Sequence, residues 1–113
     1  MMLQTKINVL GTEYTLEESN LQADGYLDGR DGYCDTSIKK CVVDEMKPTG
    51  DLGQKKNLEE YKNSVKRHEI IHAFLFESGL EACCGWAGNE EMVDWLAIQI
   101  PKMVKTFKEA GCL

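Results

Sequence analysis

Residues 68–72 read His68-Glu69-Ile70-Ile71-His72. On an α-helix, positions i and i+4 share one face, so both imidazoles reach a single metal ion at about 2.0–2.1 Å. Glu69 follows the first histidine and points to the side of the pair. It is set to contact a water held by the metal rather than the metal itself. Zinc lowers that water's pKa towards about 7, and a carboxylate beside it takes the proton and later passes it to a leaving amine. The bland alternative is a pair of satisfied core histidines. It is disfavoured because these are the only two histidines in the chain, four apart with a glutamate between them. Burying a glutamate and two imidazoles without a partner costs several kcal/mol, and a metal ion removes that cost.

A catalytic zinc needs a third protein ligand and one open position. With no third histidine, that ligand is a carboxylate or a cysteine. The metzincin pattern is excluded, because Leu75 and Ser78 stand where its glycine and third histidine belong. The acidic candidates are Glu77, Glu81, Glu90, Glu91 and Asp94. Glu77 and Glu81 follow His72 too closely to fold back easily. Glu90 and Asp94 are four apart and share a helical face. That arrangement suits Glu90 as ligand and Asp94 as acceptor for the other N–H of a ligating histidine. Glu91 is the main competitor, and the bland reading makes both glutamates mere decoration of a helix N-terminus.

These residues need two helices to carry them. Asn57 is a good N-cap with Glu60 three residues later, and the helix is expected to run to about residue 77 with Gly79 near its end. Tyr61, Val65, His68, His72 and Leu75 repeat at helical spacing, which sets both histidines on the inward stripe. A loop over residues 80–88 follows. Asn89 caps the next helix, whose stripe is Val93, Leu96, Ala97 and Ile100. Pro101 kinks it or starts another, and Gly111 ends the pattern. The first half reads as strands: residues 5–10 and 13–16 as a hairpin around Gly11-Thr12, then a turn-rich loop over 24–32, then 33–35 paired with 38–44. The expected fold is α+β, a small antiparallel sheet packed against the HExxH helix and a second, ligand-bearing helix. Strand 38–44 is expected at the sheet edge, where it would align an extended peptide.

At 113 residues the chain is one domain, residues 1–113. Thirteen basic against nineteen acidic residues give a net charge of −6, which argues against a nucleic-acid or anionic-membrane binder. No run approaches the roughly 20 apolar residues of a membrane span, and residues 1–14 do not read as a secretory signal. Five cysteines, two of them adjacent, do not form a disulfide framework. They suggest free thiols in the cytoplasm.

The segment HEIIHAFLF followed by NEEMVDWLAIQIP resembles the ImmA/IrrE-type metallopeptidases and their small phage-encoded relatives, which are gluzincin-like. Their downstream pattern is roughly E-x-x-A-[ND]-x-F-A…P, filled here by Glu90, Val93, Asp94, Leu96, Ala97 and Pro101. The upstream GYCD…KKCVVDE is similar to the short strand pair before the active helix of that group. The resemblance covers about residues 32–101. It implies a minimal zincin-like fold, Zn2+ held by His68, His72 and Glu90, Glu69 as general base, and a protein or peptide substrate such as a repressor-type regulator. It also implies a phage or prophage origin.

Weaker signals weigh less. Asp24, Asp28, Gly29 and Asp35 fit an EF-hand count, but Tyr26 breaks it and an ordinary turn-rich loop is the better reading. Cys34 is either an inhibitory zinc ligand or, more simply, a small buried residue. Tyr33 and Tyr61 are candidate oxyanion donors. The expected function is zinc-dependent peptide hydrolysis. The main alternative is a catalytically silent, zinc-containing binding module on the same scaffold. A third is metal-assisted hydrolysis of a non-peptide bond.

Overall fold

A computed structural model describes residues 3–113. The first hairpin joins β1 (Gln4–Val9) to β2 (Thr12–Ser19) with Val9 opposite Thr12. Its two-residue turn is therefore Leu10-Gly11, one position before the expected centre. Both turn residues have positive φ, +51° and +93°, the geometry that matches strand twist in a tight hairpin. Asn8 supports the turn by accepting the Gly11 N–H at 2.8 Å.

β3 (Gly32–Asp35) and β4 (Lys40–Asp44) form a second antiparallel pair. The sheet order is β1-β2-β4-β3, with β2 and β4 parallel. The sheet is thus mixed, not antiparallel throughout as expected. The reason lies in residues 20–31. This connection is long enough to carry the chain past one strand position, so β3 takes the outer edge and β4 folds back between β3 and β2. A single 3-10 turn at Gly25–Leu27 anchors it with buried Leu27, and Asp24 caps that turn. One consequence corrects a second expectation: β4 is an inner strand, and the edges are β1 and β3.

Across one face of this sheet, Leu16, Cys41 and Cys34 stand in register on successive strands. With Val9, Tyr14 and Ala73 they form the main core. Ala73 belongs to α1 (Leu58–Glu77), which lies on that face and is capped by Asn57 as expected, its Oδ1 accepting from Glu60 N at 3.2 Å. Gly32 lets α1 come close. A Cβ there would stand 2.9 Å from Val42 O, 3.0 Å from Val65 and 3.3 Å from the Glu69 side chain. At the sheet centre Glu18 accepts from Lys62 and Lys66 of α1, both at 2.9 Å. Burial alone would raise the Glu18 pKa, but the two ammonium partners outweigh it and hold the group below its ordinary 4.5.

Residues 80–88, expected as a loop, hold a helical turn α2 (Leu80–Cys83) and a 3-10 turn at Gly85–Gly88. α3 (Glu90–Glu109) follows, with Asn89 Oδ1 accepting from Met92 N at 2.9 Å. It packs through Val93, Ala87 and Leu75 in a second small core. Pro101 neither ends nor restarts this helix, which is assigned continuously through it. Proline has no N–H to give the carbonyl four residues earlier, which is that of fully buried Ala97. Arg67 of α1 supplies the missing donor, its Nε lying 2.7 Å from Ala97 O. No helix among the described residues is long and apolar enough to cross a membrane.

Two outcomes follow for stability. Arg67→Met strands the Ala97 carbonyl and is expected to cost about 1–3 kcal/mol. Pro101→Ala restores a helical N–H, so the same Arg67 substitution in that background should cost measurably less; a double-mutant cycle by urea unfolding checks this. Glu18→Gln is expected to cost about 1 kcal/mol at pH 7. Because the folded pKa of Glu18 is depressed, its contribution is present above the ordinary value of 4.5 and is lost as pH falls through the folded value. Wild type and variant should therefore converge in urea melts as the pH falls below the folded value of Glu18.

Candidate metal centre

The helical spacing of residues 68–72 does locally what the motif requires. His68 and His72 project from adjacent turns of α1 with ring centroids 4.9 Å apart and their Nε2 atoms 3.2 Å apart. Both imidazoles are mostly buried, at 13% and 17% exposure. They cannot swing freely, and their Nε2 atoms converge on one point.

α3 runs antiparallel to α1, so its first turn faces the histidines. Glu90 Oε2 lies 2.9 Å from His68 Nε2, and Glu90 Oε1 lies 2.8 Å from His72 Nε2. One turn further on, Asp94 Oδ1 lies 3.5 Å from His68 Nδ1. That is long for a hydrogen bond. Asp94 is nonetheless an acidic group on the Nδ1 side of the ring, while the Glu90 carboxylate, which can only accept, takes its 2.9 Å contact from the Nε2 side. Glu90 and Asp94 are exposed, so the carboxylates approach the fixed rings from the solvent side.

The donor set fits a divalent ion. Donor atoms held tetrahedrally by one zinc at about 2.0–2.1 Å stand about 3.3 Å from each other. The two Nε2 atoms, 3.2 Å apart, match that edge, and the Glu90 carboxylate bridges them with one oxygen to each ring, at 2.9 and 2.8 Å. Two imidazole nitrogens and a carboxylate are also the usual donors for zinc. His68, Glu69 and His72 form a compact group of possible ligand atoms by themselves, all within 4.8 Å of one another.

Glu69 is 7% exposed. Burial pushes its pKa from 4.5 up to about 7; His68 and Arg30 pull it down, and Glu90 pushes it further up. A carboxyl group poised near neutrality accepts and returns protons efficiently. Burial also draws His72 below its ordinary value, with Glu90 opposing and His68 reinforcing that shift. The favoured neutral ring is the form that binds metal.

Comparison with protein-family models, with curated proteins and with solved structures finds no significant match to this chain. The site therefore stands on its own geometry.

That geometry separates the acidic candidates. Glu77 is turned to the far end of α1, where it accepts from Thr12 Oγ1 at 3.1 Å, Tyr14 Oη at 2.7 Å and Lys39 Nζ at 2.9 Å. Glu91 borders a different hollow with Trp86, Met92 and Trp95. Glu81 lines the histidine cleft, a depression of about 590 Å³. Of the five, Glu90 alone has its carboxylate within 3 Å of both imidazoles. Cys34 lines the cleft too, but is not among the clustered ligand atoms. The two tyrosine hydroxyls have other partners: Tyr33 donates to Asp24 and Tyr61 to Asp31. Tyr61 is raised to about 12 by that carboxylate and by burial. Neither hydroxyl is free to serve as an oxyanion donor in this arrangement.

Two residues went unnoticed in the sequence. Arg30 is a cation on the cleft wall, among Asp31, Glu69, Glu81, Glu90 and Asp94; the lone arginine in an otherwise acidic loop was the available signal. Arg67 precedes the motif directly and ties α1 to α3. Its partner is a backbone carbonyl, which no side-chain pattern reveals.

Zinc titration by calorimetry checks the donor set. One ion per chain is expected. His72→Ala and Glu90→Ala should each weaken binding at least 100-fold, Asp94→Asn about 10–100-fold, and Glu91→Ala not at all.

Proposed function

We propose that this chain is a zinc-dependent peptidase that hydrolyses a peptide bond in a protein or peptide substrate. The observation that carries the reading is the convergence of the His68 and His72 Nε2 atoms and the Glu90 carboxylate within 3.2 Å of one another, beside the buried carboxyl group of Glu69. In this reading His68, His72 and Glu90 hold the ion, and Asp94 orients His68. When bound, zinc acidifies water and polarises the scissile carbonyl. Glu69 takes the proton of the attacking water and returns it to the leaving amine nitrogen. Its buried carboxyl group stands beside the rings, placed for both transfers.

The edge strand supports a peptide substrate. β3 borders the cleft, and its outer side carries no strand partner among the described residues. A free edge takes an extended peptide by β-addition, its backbone N–H and C=O groups pairing with the ladder. This role passes to β3 from the strand first expected to fill it. The resemblance of residues 32–101 to the ImmA/IrrE-type peptidases supports the same chemistry and favours a repressor-type regulator as substrate, in a phage or prophage setting. The free thiols and acidic charge suit the cytoplasm.

Cleavage of a peptide library by the zinc-loaded protein tests the proposal. Glu69→Gln should lower kcat/KM by about 10²–10⁴ with zinc stoichiometry unchanged. Equal activity in that variant removes Glu69 from the chemistry. A wild-type protein that binds zinc and a peptide partner yet cuts nothing is a binding module instead.

A further inference from the structure

Two cysteines that the hydrolytic chemistry does not use stand face to face behind Glu69. Cys34 of β3 and Cys41 of β4 are direct cross-strand partners. The bond from Asp44 N to Asp31 O, 2.8 Å, makes 31/44 a hydrogen-bonded pair of this antiparallel ladder. Pair types alternate along such a ladder, so 34/41 is a non-hydrogen-bonded pair. In that pair type the Cα atoms stand about 4.5 Å apart and the side chains are closest, which lies within the span that a disulfide bridges. The two Sγ atoms are already 3.7 Å apart. Side-chain rotation brings them to the bonding distance of about 2.0 Å.

The pair is asymmetric in access. Cys41 is fully buried, whereas Cys34 is half-buried and lines the cleft. A reagent in solution therefore meets Cys34 first and Cys41 only through it. Cys41 also has the Glu69 carbonyl oxygen 3.5 Å from its sulfur, so its thiol touches the backbone of the proposed general base. The other close sulfurs, Cys83 and Cys84 at 3.6 Å, are sequence neighbours at the end of α2. Bonding them would distort the peptide between them.

We propose that Cys34 and Cys41 are a dithiol–disulfide site, closed reversibly by exchange with a small-molecule disulfide of the glutathione type. The Cys34 thiolate attacks one sulfur of the oxidant and breaks its S–S bond. The first thiolate leaves and takes up the proton that Cys34 released. The Cys41 sulfur, giving up its proton, then attacks the Cys34 sulfur and expels the second thiol, which takes that proton. Two protein thiols are oxidised by two electrons, and one small disulfide is reduced to two thiols. The product pins edge strand β3 to β4 and removes the only S–H that reaches the Glu69 carbonyl among the described hydrogen bonds. The site stands whether or not the cleft is hydrolytic, and its test reads no cleavage.

Full-length protein is incubated with oxidised glutathione, with a dithiothreitol-treated control. The expected product has lost two hydrogens by intact mass. Trypsin cuts after Arg30, Lys39, Lys40 and Lys55 but not at Lys47, which precedes Pro48, so the bond appears as peptide 31–39 joined to peptide 41–55. The Tm should rise by about 5 °C and return with dithiothreitol. The Cys83→Ser/Cys84→Ser/Cys112→Ser variant should behave like wild type, while Cys34→Ser and, independently, Cys41→Val should show neither the linked peptides nor the Tm rise. An unchanged mass, a lasting glutathione adduct on Cys34, or a link between Cys83 and Cys84 in place of the cross-strand one overturns the proposal. The wild-type peptide map decides even if either single variant fails to fold.

Discussion

The cleft depends on a fixed register between two antiparallel helices. α1 carries both imidazoles and Glu69; α3 carries Glu90 and Asp94. A slip of one turn, about 5.4 Å along either axis, would separate every one of these contacts. The register is held at an unusual point. Pro101 withholds a donor from the Ala97 carbonyl, and Arg67, one residue before His68, supplies it. A gap in one helix is therefore filled by the other, next to the residues that must meet. The same proline that weakens α3 internally makes its docking more specific, because an unpaired buried carbonyl is costly in any other alignment.

The sheet fixes α1 from the other side. Gly32 allows the helix to sit against β3 with no room for a Cβ, and that contact falls on Val65 and Glu69. The burial of Glu69 is thus a product of close helix–sheet packing. Its shift to about 7 follows from that burial first and from neighbouring charges second. Lys62 and Lys66 on Glu18, and Thr12, Tyr14 and Lys39 on Glu77, clamp the two halves of α1 to the sheet. Charged hydrogen bonds at both ends leave the middle of the helix to His68, Glu69 and His72.

Much of this was legible along the chain wherever the governing interaction is local. The α1 boundaries followed from Asn57, Gly79 and a four-three repeat, and Asn89 marked the start of α3. The inward face of His68 and His72 is a matter of 3.6-residue periodicity alone. Glu90 and Asp94 shared a face by the same arithmetic. The hairpin was visible from Gly11, although a leucine at positive φ shifted its centre by one residue. Strand order was not legible. β4 has the same apolar run whether it lies at an edge or inside, and the parallel pairing with β2 arises from the path of residues 20–31.

By itself, then, the sequence determined the two long helices, their N-caps, the spacing of two histidines and a glutamate, and the α+β class, because each rests on contacts within about one turn. Tertiary structure decided which carboxylate meets the rings, turning Glu77 towards Tyr14 and Glu91 towards Trp95. It also decided which strand offers a free edge and which two of five thiols face each other. Those choices depend on how separate elements dock, and docking is settled by burial and backbone pairing between residues far apart in the chain, which no local pattern encodes.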